Sequence, residues 1–241
     1  MIDPNIEVVD LKKIAVSFSG KDSTLALHDL LHSDEYEVSL LFATVTDGFN
    51  RTSIHGVREE LLEAQAKSIG LPLVKVRIPE NCSNKVYEEK MNEAVDKIKE
   101  QGITQIAFGD LFLEDVRSYR EKMLKTTGLQ PVFPLWGLNT TDLLHRFLSL
   151  GYKTMTTCVD LTKLTEEYSG KEITFDFLQK LPEGIDPCGE NGEYHSFVFD
   201  GPIFNEPIPF KIGEKKITPD YYTGEPRFCY TDLVPIGSRG P

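Results

Sequence analysis

Apolar and polar positions alternate in two different rhythms along the first half of the chain. Ile14–Phe18 is a short continuous apolar run of the kind a buried strand shows. Thr24–Leu31 follows with Leu27, Leu30 and Leu31 on one side, which predicts a helix. Val38–Val45 is a second β-rich run, and after it Val57, Leu61, Leu62, Ala66 and Ile69 keep helical spacing until Gly70 and Pro72 stop it. Leu73–Ile78 predicts a third strand. Val86, Met91, Val95 and Ile98 mark one face of a helix over Asn84–Gln101, and Gln105–Phe108 is a fourth strand that ends at Gly109-Asp110. Strands alternating with helices in this way predict an α/β fold, a parallel sheet with helices on both faces.

The second half reads differently. PVFPLWGLNTTDLLHRFLSLGYKTMTTCVDL gives strand, helix, strand, and then comes a short helix near Thr174–Lys180. Gly/Pro-rich loops follow, alternating with short β runs such as Tyr194–Phe199. The pattern divides the chain into a nucleotide-type domain over 1–130 and a smaller α+β substrate domain over 131–241.

Composition narrows the function classes. A net charge of −12 over 241 residues argues against coating nucleic acid, which usually needs a basic face. No apolar run is long enough to span a bilayer. The four cysteines, Cys82, Cys158, Cys188 and Cys229, form no CxxC pair and suit neither a zinc cluster nor a disulfide framework. The first ten residues, MIDPNIEVVD, lack the basic and apolar regions of a signal peptide. The expectation is a cytoplasmic protein acting on neither nucleic acid nor membrane, with a homodimer left open.

The candidate chemistry begins where the first strand meets the first helix. In SFSGKDS, Gly20 permits a tight turn and the close approach of an anion. The helix start supplies free N–H groups and a favourable dipole. Ser19 and Ser23 add hydroxyls and Lys21 a charge. Asp22 would repel phosphate; it either caps the helix or holds Mg²⁺ on the phosphates. The spacing fits neither the P-loop GxxxxGK[ST] nor GxGxxG. Gly109-Asp110 closes another strand at the same edge, where Asp110 suits Mg²⁺ or a ribose hydroxyl. Arg117 and Arg120 lie on one helix. They suit phosphate or carboxylate, or a surface ion-pair network with Glu114, Asp115 and Glu121, and function is favoured for Arg117. CGENGEYH gathers Glu190 and Glu193, suited to bind and deprotonate ammonium, with Asn191 and His195 suited to orient an acceptor carbonyl. Cys188 reads as a small buried thiol and Trp136 as core.

SFSGKDS resembles the SGGKDS signature of the PP-loop ATP pyrophosphatases, one glycine short, with Ser19 where the first glycine would fall. HGVREELLEAQAKSIGLPL, FGDLFLEDVRSYREKML and DPCGENGEYHSFVFDGP resemble the diphthine–ammonia ligase family and its bacterial-type relatives, over about Lys12 to Pro207. The resemblance implies an adenine nucleotide alpha-hydrolase-like fold and an ATP-dependent, AMP-forming ligase using Mg²⁺. It implies that a substrate carboxylate, on a small molecule or a protein, is adenylated and then amidated by ammonia. It places ATP on Ser17, Phe18, Ser19, Gly20, Lys21, Asp22, Ser23, Thr44, Gly109 and Asp110. It assigns catalysis to Lys21, Arg117, Glu190, Glu193 and His195, substrate to Asn50, His55, Gly56 and Asn191, and metal to Asp22. TDGFNRTSIHGV departs from the EGMN…YG-like stretch of the diphthamide branch. A bacterial-type relative with another carboxylate is therefore expected, and the resemblance links such relatives to corrinoid chemistry. The alternatives are a same-fold pyrophosphatase for a different carboxylate and a non-catalytic ATP sensor.

Overall fold

The computed structural model describes residues 11–80, 82–220 and 223–237. The N-terminal decapeptide read above for signal character lies outside them. Strands β1 (Lys12–Ser17), β2 (Tyr36–Thr46), β3 (Arg51–Thr52), β4 (Leu73–Ile78), β5 (Gln105–Ala107) and β6 (Gln130–Val132) form one six-stranded sheet. β1 pairs in parallel with β2 on one side and β5 on the other; β4 joins β2, and β6 joins β5, also in parallel. Only the two-residue β3 runs antiparallel, against the end of β2. Helices α1 (Lys21–Leu31), α2 (Glu59–Ile69), α3 (Asn84–Lys99) and α4 (Glu114–Leu124) connect these strands.

Strand alternation sorts the helices onto the two faces. Ile14 and Val16 pack with Leu27 of α1 and with Leu62 and Ala66 of α2. Ala15, between them, points to the opposite core, with Met91, Val95 and Ile98 of α3. Successive side chains of a strand face opposite ways, so one central strand fills two cores. The expected parallel sheet with helices on both faces is present.

Past α5 (Thr140–Ser149), strand β7 (Lys153–Asp160), helix α6 (Phe175–Gln179) and strands β8 (Tyr194–Asp200), β9 (Phe210–Pro219) and β10 (Pro226–Pro235) follow. The strands make a second, antiparallel sheet in the order β8-β7-β10-β9. The long β9–β10 pair corrects the expectation of loops with short β runs. β9 is an edge strand with most of its side chains exposed, so KIGEKKITP lacks the apolar alternation of a half-buried strand. The second sheet packs on Leu25 and Ala26 of α1 and on Val57 and Leu61 at α2, so these helices lie between the two sheets. No helix among the described residues is long and apolar enough to cross a membrane.

Candidate active site

In an open parallel sheet the ligand crevice lies beyond the carboxyl ends of the strands, where the order reverses. Here the chain leaves β1 for β2 and β4 and later returns to the other side with β5. The loop Phe18–Gly20 follows β1 at that point, and α1 begins at Lys21. A cavity of about 260 Å³ opens there, lined by Ser17–Ser23, by Thr44 of β2 and by Gly109-Asp110 after β5. The second sheet closes it with Cys188–Glu190 and with Tyr194, His195 and Ser196 of β8. The sequence-predicted loop residues and Thr44 therefore meet in one place.

Close backbone approach builds the floor. A Cβ at Gly109 would stand 2.7 Å from the Ser23 nitrogen and 2.9 Å from the Asp22 carbonyl carbon. A Cβ at Gly20 would stand 2.6 Å from Cε1 of His55. The loop is cross-braced: Ser19 N–H donates to Ser23 Oγ at 2.9 Å, and Ser23 Oγ donates to Gly20 O at 2.9 Å. α1 has no side-chain cap, which leaves first-turn amides for a ligand. The Lys21 amide is the exception, donating to Ser196 Oγ at 3.2 Å.

The Lys21 side chain does not reach out to solvent. It is 3% exposed, and Nζ donates to Asp22 at 2.7 and 2.9 Å and to the Cys188 carbonyl. Its ammonium lies 5.3 Å from the centre of the Tyr194 ring. Burial alone would disfavour its charge, but Asp22 outweighs burial and holds the pKa above the ordinary value. Lys21 ties the loop after β1 to the segment that enters the second sheet, as a charged strut. Asp22, expected as a metal ligand, has both carboxylate oxygens engaged by it.

Asp110 and Arg120 face each other across 3.5 Å, too far for a good hydrogen bond, and Asp110 Oδ2 and Arg120 Nε have no hydrogen-bond partner among the described residues. Burial pushes the Asp110 carboxyl up, against the pull of Arg120. Both residues line the cavity. Arg117 does not. Its Nε pairs with Glu121 at 2.8 Å, and its guanidinium lies 4.7 Å from Trp136 and 5.0 Å from Phe133, so it docks α4 onto the segment after β6. This corrects the preference for Arg117: three positions along a helix turn one arginine inward and leave the other on its neighbour.

The CGENGEYH stretch also divides. Gly189 and Gly192 adopt left-handed φ of 70° and 82° and make a tight turn, with Gly192 N–H donating to Gly189 O at 3.0 Å. The turn presents Glu190 to the cavity, where Oε1 accepts from Leu111 N–H at 2.7 Å. Burial raises the Glu190 pKa to about 7. Glu193 is outside the cavity, 2% exposed, and its Oε1 accepts from Asp186 N–H and Asn191 Nδ2 at 3.3 and 3.2 Å. Its role is inside the loop, and Asn191 is exposed beside it.

His55 and His195 meet at the cavity wall with ring centres 4.8 Å apart. His55 Nδ1 bonds the Ser196 carbonyl at 3.0 Å and therefore carries a proton, leaving Nε2 as the acceptor. Burial lowers the His55 pKa to about 4, aided by Lys21; burial and His55 hold His195 low too. Both rings are neutral at physiological pH. His55 lies in a turn ahead of α2 and does not open it. Gly56 and Asn50 line neighbouring depressions instead of this cavity. Cys188 is buried, as expected, donates its thiol to Thr140 O at 3.2 Å, and has its pKa pushed up by burial. Sequence reasoning missed Tyr87 and Met91 of α3, which line the cavity, and Ser196.

Residues 11–131 match the family model of the diphthamide synthase N-terminal domain, and residues 139–224 that of the C-terminal domain. The Homo sapiens diphthine–ammonia ligase is 28% identical over 167 residues, and that of Mus musculus 27%; each match covers 63% of this chain and 62% of the relative. The chain thus aligns with under two thirds of these relatives' length. The Danio rerio diphthine–ammonia ligase is 26% identical over 231 residues, 87% of this chain and 90% of the relative. A solved structure of a predicted subunit of tRNA methyltransferase from Methanocaldococcus jannaschii aligns with TM-score 0.39 and 18% identity, covering 60% of this chain and 80% of that one.

Proposed function

Since the chain belongs to the diphthamide synthase family, we propose that it is an ATP-dependent amide ligase that adenylates a carboxylate and amidates it with ammonia. The acceptor is a carboxylate on a small molecule or a protein. The observation that carries this reading is the joining of a phosphate-type helix start to a carboxyl group tuned near neutrality, Glu190, in one cavity.

In this reading the phosphates of ATP lie at the start of α1, on the first-turn amides and the hydroxyls of Ser17 and Ser19. The substrate carboxylate attacks the α-phosphorus, and pyrophosphate leaves as the acyl-adenylate forms. The helix start and Arg120 receive the charge on the departing pyrophosphate, an arrangement fixed before reaction. Lys21 contributes through the loop it braces. Ammonia then attacks the acyl carbon and AMP leaves. Glu190 takes a proton from ammonium, which a carboxyl near the working pH does well. Neutral His195 holds a lone pair ready for the same proton.

Mg²⁺, where bound, would neutralise phosphate oxygens. The donor set fits such a role through Asp110, which has an oxygen without a hydrogen-bond partner among the described residues, while Asp22 lines the same cavity with its oxygens held by Lys21. The protein share of one or two carboxylates is usual for a phosphate-borne Mg²⁺.

The test is AMP and pyrophosphate production that depends on an added carboxylate, followed by amide formation that depends on ammonium. Glu190→Gln is expected to spare AMP formation and slow amide formation. A protein that binds ATP yet yields no AMP with any carboxylate, free or protein-borne, would be a sensor.

A further inference from the structure

A second cavity adjoins the first. It measures about 680 Å³ against about 260 Å³, and Thr52, Ser53 and Ile54 line both. Its other wall is the antiparallel sheet, with Lys215 and Lys216 of β9 and Tyr230 and Asp232 of β10.

Its chemistry is uneven. Glu80 and Glu214 offset Lys215 and Lys216 around it. Asp232 is engaged by Arg58, whose Nε and Nη2 donate to its two oxygens at 3.0 and 2.7 Å. The excess positive charge therefore sits with Arg51. Only one of its nitrogens is used: Nη1 donates to Gly56 O at 2.9 Å and pairs with Asp232 at 2.8 Å. Nε and Nη2 have no acceptor among the described residues. A guanidinium fixed by one nitrogen, with the others available, suits a carboxylate bound through two parallel bonds.

The apolar part is equally specific. Phe49 and Ile54 are 55% and 66% exposed, and both line this cavity beside the Tyr230 ring. Single exposed apolar side chains are ordinary, but a group lining one cavity favours an apolar guest. Ile54 also has φ 68°, an outlier for a β-branched residue. The turn is held by Thr46 Oγ1 to Ser53 Oγ at 3.0 Å and by Gly56 N–H to Thr52 O at 3.0 Å. Such strain persists where the surroundings over-determine it, and it clusters at ligand sites. The strained turn is the partition between the two cavities.

We propose that this second cavity is the acceptor chamber: Arg51 receives the carboxylate of a substrate with a bulky, partly apolar body, and the Ser53–Ile54 turn is the partition it passes to reach the nucleotide. The assignment rests on the ligase reading above. Its range of substrates is carboxylates too large for the nucleotide cavity.

Fluorescence titration with dansylglycine and its uncharged amide, dansylglycinamide, tests it. The full chain is expected to bind dansylglycine about tenfold more tightly, the effect of a pair of bonds to a charged group. Arg51→Met should bring the two probes to parity and leave binding of a non-hydrolysable ATP analogue unchanged. Should Arg51→Met unfold, Arg51→Lys keeps the charge without the fork and should lose most of the preference. Phe49→Ala should weaken both probes alike. Equal binding of the probes by the unsubstituted chain, or a preference that survives Arg51→Met, overturns the proposal. Failure to bind the ATP analogue overturns the ligase reading instead, because the probe preference is read without nucleotide.

Discussion

Glu190 and His55 show what single residues contribute, and with opposite sign. The Glu190 pKa is raised from 4.5 to about 7, so the folded state holds a proton the unfolded chain has released. Stability from that proton is present below about 4.5 and lost as pH rises through about 7. The His55 pKa is lowered from 6.5 to about 4, so its contribution is present above 6.5 and lost as pH falls toward 4. Urea unfolding across this range should show a flatter alkaline limb in Glu190→Gln and a flatter acid limb in His55→Asn. In kinetics, amide formation should rise with pH through about 7 in the unsubstituted enzyme and lose that rise in Glu190→Gln. The two arginines of α4 separate in the same way. Arg120→Met should weaken ATP binding by about tenfold, the worth of charged hydrogen bonds. Arg117→Met should leave ATP affinity intact and lower stability by about 0.5–1 kcal/mol, the worth of a half-exposed cation–π contact.

Contacts between elements depend on missing side chains. The end of β5 meets the first turn of α1 at Gly109, where an added methyl would strike backbone atoms of Asp22 and Ser23. Backbone cannot rotate aside as a side chain can. Gly109→Ala is therefore expected to displace the start of α1, costing about 1–3 kcal/mol of stability and most of the ATP affinity, read by denaturant unfolding and calorimetric titration. Ser19, where the signature has glycine, has its N–H bound to Ser23 Oγ, so the loop is closed by a side chain of its own helix. The elements themselves were legible in the sequence where one face is buried: β1, α2 and α3 follow their periodicity to within a few residues. β3 and the β9–β10 pair were not, because two residues make no period and an edge strand has little apolar alternation to show.

Across the whole molecule, the site belongs to both sheets at once. The loop after β1 comes from the parallel sheet, Cys188–Glu190 from the approach to the antiparallel one and Tyr194–Ser196 from its strand β8. α1 and α2 fill the space between them. Bound ATP should therefore stabilise the molecule as one cooperative unit, by about 2.7 kcal/mol at a hundredfold excess over Kd, read as one thermal transition whose midpoint rises with ligand concentration. Two calorimetric transitions, of which nucleotide moves only one, would show that the halves respond separately.

The sequence by itself determined the strand–helix alternation, the glycine-containing turn after β1 that opens α1 and the Glu-rich turn, because backbone preference, local spacing and residue chemistry are properties of neighbours along the chain. Only the tertiary structure decided which charged groups meet. It withdrew Glu193 and Arg117 from the cavity, brought in Arg120, Tyr87 and Ser196, and buried Lys21 as a strut. Which side of a turn or helix faces a ligand depends on what packs against it. For Lys21 and Ser196 that partner lies 175 positions along the chain.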